Sequence, residues 1–350
     1  MSPIFESLDL RVNSIKTVKR ILRTNEFSIG VAVVILSILT GVVNPAFFST
    51  ANLFDILRNA TIFGILAMGV LIVIISGGID ISFPAIAALS TYATVKVLIN
   101  ANYQGSVLLV YAIAASIGLF LGLINAFFIS WLKIPTLIVT LGTSSMYYGF
   151  NLFFVGSLNL YNLPGQMIPF SRIALVTVQD PEVGLVGLHP AVLIMVAVAL
   201  LVWWFLKYTM IGRGIFAMGG NREVAERSGF NLRQIEYVIY GIVGVLSAIA
   251  GVTQATFVRH ANPAALMGTE LDVIAAVVLG GAAITGGRGS VIGSLLGVLF
   301  VTIMKTSLIM LGIPAYWQKV FVGIALVIGT AIPAIRARHL RQQMVSTITD

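Results

Sequence analysis

Apolar runs long enough to cross a bilayer follow one another along almost the whole chain, and they dictate most of what it can become. One reads ATIFGILAMGVLIVII over residues 60–75 and ends at Ser76-Gly77-Gly78-Ile79-Asp80-Ile81-Ser82. Others cover residues 28–43, 84–98, 107–131, 135–155, 191–206, 237–258, 271–284, 290–311 and 317–335. A spanning helix needs roughly 20 apolar residues, so the reading is an all-α polytopic membrane protein with about ten transmembrane helices. A charged fraction of only 10% beside 58% hydrophobic residues excludes an ordinary soluble domain.

Charge sets the orientation. Of the 21 Lys and Arg residues, 15 fall on one side if the N-terminus and the even-numbered connections share that side. By the positive-inside bias that side is the cytoplasm, and both termini lie there. The layout is a cytoplasmic tail over 1–27, a transmembrane domain over 28–335 and a second cytoplasmic tail over 336–350. A long irregular segment, 157–190, falls outside, and a charged loop, 207–236, falls inside. Scattered basic residues do not form a nucleic-acid patch, so the net charge of +8 is not read as one. The basic N-terminus precedes an apolar run that no small-x-small cleavage site closes, which reads as an uncleaved first span. With no cysteine, disulfides, thiolate metal sites and cysteine nucleophiles are excluded.

Glycine motifs invite nucleotide chemistry and do not support it. Gly286-Gly287-Arg288-Gly289-Ser290 lacks the lysine of a phosphate-cradling loop, and Gly212-Arg213-Gly214 lacks the remaining dinucleotide glycine. No hydrolase spacing accompanies the three histidines, so no catalytic, cofactor or metal residue is expected. Charge is nearly absent from the spans, where it would cost at least about 2.5–3.5 kcal/mol. Lys96 and Lys305 sit in outer halves and are read as snorkelling. Thr269 and Asp272 read as a helix-capping arrangement. Asp80 has two readings, a cap on the turn into the third span or a carboxylate at the inner mouth of a pathway.

The spans do carry neutral polar groups. Thr136, Thr140, Thr143, Ser144, Tyr147, Tyr148 and Asn151 lie in the fifth, and Ser247, Thr253, Gln254 and Thr256 in the seventh. A hydroxyl-rich neutral solute would suit such a lining; hydrogen bonding between packed helices is the competing use. Candidate pathway residues are Asp80, Thr140, Thr143, Tyr147, Asn151 and Gln254, with Gly280 and Gly281 where glycine loosens a helix.

The inner loop is the chain's densest charged segment, holding Arg213, Arg222, Glu223, Glu226, Arg227 and Arg233. Within GGNREVAERSG, Asn221 is placed to cap a short helix, Glu223 lies near its positive end and Gly229 stops it. Nothing else in the chain receives energy, so this helix is read as a docking element. Its residues are Gly219, Gly220, Asn221, Arg222, Glu223, Ala225, Arg227, Ser228 and Gly229.

Over residues 44–336 the chain resembles the membrane permease subunits of ribose-type sugar ABC importers. The resemblance rests on NLFDILRNATIFGILAMGVLIVIISGGIDIS at 52–82 and IPTLIVTLGT at 134–143. It continues with GRGIFAMGGNREVAERSGFN at 212–231 and LDVIAAVVLGGAAITGGRGSVIGSLLGV at 271–298. It implies a multi-pass subunit of the bacterial inner membrane, paired with a second permease copy. A cytoplasmic ABC ATPase subunit would bind ATP and magnesium, leaving no cofactor in this chain. A periplasmic or lipid-anchored solute-binding protein would deliver a small sugar-like solute to outer loops that include 157–190. The segment Asn221–Gly229 would be the coupling helix, with Val224 in place of the first alanine of the Glu-Ala-Ala…Gly loop of importers generally. Related permeases carry branched-chain amino acids or nucleosides, and a stand-alone secondary carrier or channel is the rival of another class.

Overall fold

The computed structural model describes residues 25–327 apart from 182, together with 329 and 331. Residues 1–24 of the expected first tail, the end of the last expected span and all of 336–350 lie outside this range.

Almost everything described is helix. The helices are α1 (Asn25–Val43), α2 (Thr50–Ile75), α3 (Phe83–Asn100), α4 (Val107–Ser130) and α5 (Thr136–Phe150), which runs on through a π turn, Asn151–Val155. Short α6 (Met167–Ser171) is followed by β1 (Val176–Asp180) and β2 (Gly184–Leu188). Then come α7 (Ala191–Tyr208), α8 (Met210–Gly220), α9 (Arg222–Arg227), α10 (Leu232–Val258), α11 (Glu270–Leu279) and α12 (Val291–Met310).

Seven of these, namely α1, α2, α3, α4, α7, α10 and α12, are long and apolar enough to cross a membrane. The other three expected spans are shorter. The fifth is α5 with its π turn, and the last is represented by an apolar helix at Trp317–Val327. The eighth is cut to ten residues by Gly280-Gly281, which turns the chain at the end of α11. Segment 157–190, expected to be irregular, contains a hairpin in which Val176 pairs with Leu188 and Asp180 with Gly184. Asp180 Oδ2 accepts from the Ala51 N–H at 3.2 Å and so pins the hairpin to the start of α2.

The core is organised around α2. Its run from Gly64 to Ile75 is buried without interruption, as expected of a helix with no polar face. Helix α10 packs on α2, α3 and α4; α7 lies against α2, and α12 against α1, α2 and α11. Glycine sets how closely these backbones approach. A Cβ on Gly244 would fall 2.0 Å from the Gly118 carbonyl oxygen, and one on Gly297 1.9 Å from that of Ala276. Outward, Val34, Ile38, Leu39 and Val42 of α1 and Leu200, Leu201 and Trp204 of α7 are exposed, as a lipid-facing surface requires.

Candidate functional site

The charged insert is a compact helical bracket. Thr209 caps α8 by accepting from the Gly212 N–H at 2.9 Å. Asn221 caps α9, its side-chain oxygen accepting from the Val224 N–H at 3.0 Å. Helix α9 ends in a Schellman motif: Gly229 N–H donates to the Glu226 carbonyl (3.0 Å) and Phe230 N–H to that of Ala225 (3.2 Å), with Gly229 at φ +88°. Its inner side rests on Ala225, 1% exposed. Its outer side presents Glu223, Val224, Glu226 and Arg227, with Arg227 reaching Glu223 one turn back at 2.5 Å. Ser228 turns its hydroxyl back to the Val224 carbonyl at 2.8 Å.

Arg222 ties this bracket to the bundle. Its Nη1 lies 2.7 Å from Glu236 Oε1, on the first turns of α10. Glu236 was expected at the edge of a solvated loop; instead it is 3% exposed, because α10 begins at Leu232 and carries it inside. A cavity of about 430 Å³ opens here, lined by Ser76, Gly78, Lys133, Thr136, Arg222, Arg233, Glu236 and Tyr240.

Most expected pathway residues are turned into packing. Asp80 is 1% exposed and its Oδ1 accepts from the N–H (2.6 Å) and hydroxyl (2.7 Å) of Ser82. Asn125 of α4 donates to that same hydroxyl at 2.8 Å. Thr140 donates to the Ile79 carbonyl at 3.3 Å, Tyr147 to that of Leu121 at 2.9 Å and Asn151 to that of Pro263 at 2.9 Å. Thr143 is buried and bonds within its own helix. Gly280 abuts Gly293, and Gly281, at φ +97°, closes α11 in the same Schellman pattern that Gly77 gives α2. Gln254 lines a second cavity, of about 240 Å³, with Thr91, His260 and Asn262 at the opposite end of the bundle.

Two features escaped sequence reasoning. Lys305 does not snorkel: its ammonium pairs with buried Asp272 at 2.6 Å, and Lys319 joins at 3.1 Å. Asp272 is therefore an ion-pair partner, and the Thr269 hydroxyl bonds the Leu266 carbonyl instead of capping α11. Lys96 likewise donates to the Val155 carbonyl. Their only sequence signal was that charge so far inside an apolar run needs a partner.

A bundle of long apolar helices, with most of its charge at its ends and a capped helical bracket at one of them, defines a multi-pass membrane protein. Residues 52–330 match the family described as "Branched-chain amino acid transport system / permease component", and the chain belongs to that family. It is thus a permease subunit, a transport component and not an enzyme. It is 30% identical to the ribose import permease protein of Escherichia coli K12 over 309 residues, 86% of this chain and 91% of that one. The corresponding Bacillus subtilis protein is 32% identical over 298 residues, 85% of this chain and 89% of its own. The autoinducer 2 import system permease protein of Escherichia coli is 31% identical over 329 residues, 93% of this chain and 92% of its own. No solved structure matches the chain significantly.

Proposed function

We propose that this chain is the transmembrane permease subunit of an ATP-driven, binding-protein-dependent importer of a small sugar-like solute. It forms the translocation pathway in the bacterial inner membrane with a second permease copy, through about ten spans with both termini cytoplasmic. In this reading residues 28–335 are the transmembrane domain, flanked by cytoplasmic tails over 1–27 and 336–350. A separate cytoplasmic ATPase holds ATP and magnesium. A solute-binding protein delivers its cargo at 157–190, where Val176, Val183 and Leu185 of the hairpin region stand exposed.

The observation that carries the reading is α9. A six-residue helix capped at both ends spends two structural motifs on presenting one charged face, while its other face is held in the bundle by Ala225 and Arg222. A short preorganised helix with an exposed charged face fits a groove on a partner. The ribose and autoinducer 2 relatives support the sugar class. The family description favours one second reading, a permease of this architecture for branched-chain amino acids.

The test is reconstitution of the chain with its partner ATPase and solute-binding protein. Ribose, other pentoses, inositol and leucine are offered in turn to the binding protein, and the bound solute is followed into vesicles. Glu223→Arg and Gly229→Trp should abolish solute-stimulated ATP hydrolysis while leaving membrane insertion intact. Normal stimulation in both would remove the docking role from α9.

A further inference from the structure

At the α9 end of the bundle three chain segments meet backbone to backbone: the end of α2, the end of α8 and the turn between α11 and α12. Gly287 N–H donates to the Ile75 carbonyl at 2.8 Å. A Cβ on Gly219 would lie 1.8 Å from that carbonyl oxygen and 2.5 Å from Gly287 N. One on Gly286 would lie 2.6 Å from the Gly219 oxygen and 2.9 Å from Gly77 Cα. Gly77, Gly286 and Gly287 hold φ of +86°, +87° and +74°, and the Gly287 Cβ position is 3.1 Å from Gly220 Cα.

We propose that Gly77, Gly219, Gly286 and Gly287 are positioning residues that clamp α8 to α2 and to the α11–α12 turn, so that a displacement of α9 moves all three as one body. The proposal rests on reading α9 as the docking helix. Residues 219–220 lead directly into α9, so a push on α9 arrives first at this junction. Side chains between packed helices absorb small shifts by changing rotamer; here none intervene, and close-packed backbone passes the shift on. The segments bear on function differently from an ordinary glycine crossing such as Gly118–Gly244, which joins mid-helix positions. Here they are helix ends and a turn, joined at the face from which α9 projects. The Arg222–Glu236 pair adds a second attachment, to α10, so α9 reaches the helices α2, α10 and α11 together.

The test separates junction from fold by using a matched control. Gly286→Ala and Gly312→Ala carry the same left-handed backbone cost, since Gly312 sits at φ +75°, but a Cβ at Gly312 meets nothing within 4 Å. In the reconstituted complex, with ribose or whichever solute passes the import test above, the quantity read is solute imported per ATP hydrolysed. A merely destabilised protein lowers both rates together and leaves this ratio unchanged. Gly286→Ala is expected to lower the ratio by about tenfold, within the usual range of coupling between sites, while Gly312→Ala keeps the parent value. Equal ratios in the two overturn the proposal. Should Gly286→Ala fail to fold, Gly287→Ala takes its place: at φ +74° it carries the same backbone cost, and its Cβ meets Gly220 at 3.1 Å, a contact that a shift of a few tenths of an ångström relieves. It too is expected to import less solute per ATP than Gly312→Ala, and an equal ratio overturns the proposal. Failure of the docking reading looks different: Glu223→Arg would then couple as the parent does.

Discussion

Lys305 Nζ lies 2.6 Å from Asp272 Oδ2, joining α12 to the first turn of α11 inside a bundle otherwise nearly free of charge. Asp272 is 1% exposed, and Lys305 also stands over the Phe63 ring at 4.7 Å. Helix α11 has only ten residues, and this pair joins the Gly280–Gly293 and Ala276–Gly297 contacts in attaching it to α12.

Removing one partner should therefore hurt more than removing both. Lys305→Met leaves a buried carboxylate with only the more exposed Lys319, and breaking a buried pair costs about 3–5 kcal/mol. Asp272→Asn/Lys305→Met should recover a large part of that loss. Thermal unfolding in detergent reads the difference; a double variant no more stable than Lys305→Met would show that the pair does not hold α11.

Asp80 is predicted to behave as a turn cap. Its Oδ1 takes both the N–H and hydroxyl of Ser82, and Asn125 secures that hydroxyl from α4. Asp80→Asn retains an acceptor oxygen, whereas Asp80→Ala leaves a buried N–H unsatisfied at a cost of about 1–3 kcal/mol. Uptake and melting temperature should thus fall in the order parent, Asn, Ala. Import abolished by Asp80→Asn with unchanged stability would instead make the charge itself functional.

Glycine substitutions should sort by what the backbone meets. Gly244→Val places a side chain where α4 passes 2.0 Å from the Cβ position, and overpacking of this kind costs about 1–3 kcal/mol or more. Gly142, on the outer side of α5, has nothing within 4 Å, so Gly142→Val should leave the yield of folded protein unchanged. Size-exclusion profiles of the two variants make the comparison; a monodisperse Gly244→Val would mean that α4 and α10 can separate.

The spans were legible because each apolar run states its own helix, and the cap of α9 was legible because Asn221 and Gly229 are local signals. What the sequence concealed was pairing at a distance. Asp272 sits 33 residues from Lys305, and no periodicity links them. Glu236 looked like part of a charged loop because helix α10 continues outward past its apolar run to Leu232. The hydroxyls of α5 looked like a lining, but which face of a helix meets a neighbour depends on packing that one span does not encode. The apolar pattern ends the second span at Ser76-Gly77 but runs the eighth on to residue 284; only the fold shows that α11 stops at Gly280 and that Gly77, Gly219 and Gly286 meet.

The β1–β2 hairpin should loosen in acid, through His189. This residue precedes α7 and is 8% exposed, set edge-on against Phe170 and Phe257. Its Nδ1 accepts from the Ala191 N–H at 3.0 Å, and its Nε2 lies 2.9 Å from the Phe170 carbonyl, to which it donates. The Nδ1 contact requires the neutral ring, since a proton on Nδ1 would face another N–H, whereas the Nε2–H bond to the Phe170 carbonyl survives protonation and works the other way. Burial pushes its pKa below the usual histidine value of 6.5, and the nearby Arg58 guanidinium pushes the same way. Above that value the ring is neutral whether this region is folded or unfolded, and stability does not depend on it. Below it the unfolded segment takes up a proton that the folded one refuses, so stability falls with pH until the folded ring also titrates. The slope in that window approaches about 1.4 kcal/mol per pH unit. Amide exchange in β1 and β2 should therefore accelerate, beyond the intrinsic pH effect, between about pH 7 and pH 5. In His189→Phe that pH dependence should vanish. Equal protection of the hairpin in the parent at both values would show that His189 is not what secures it.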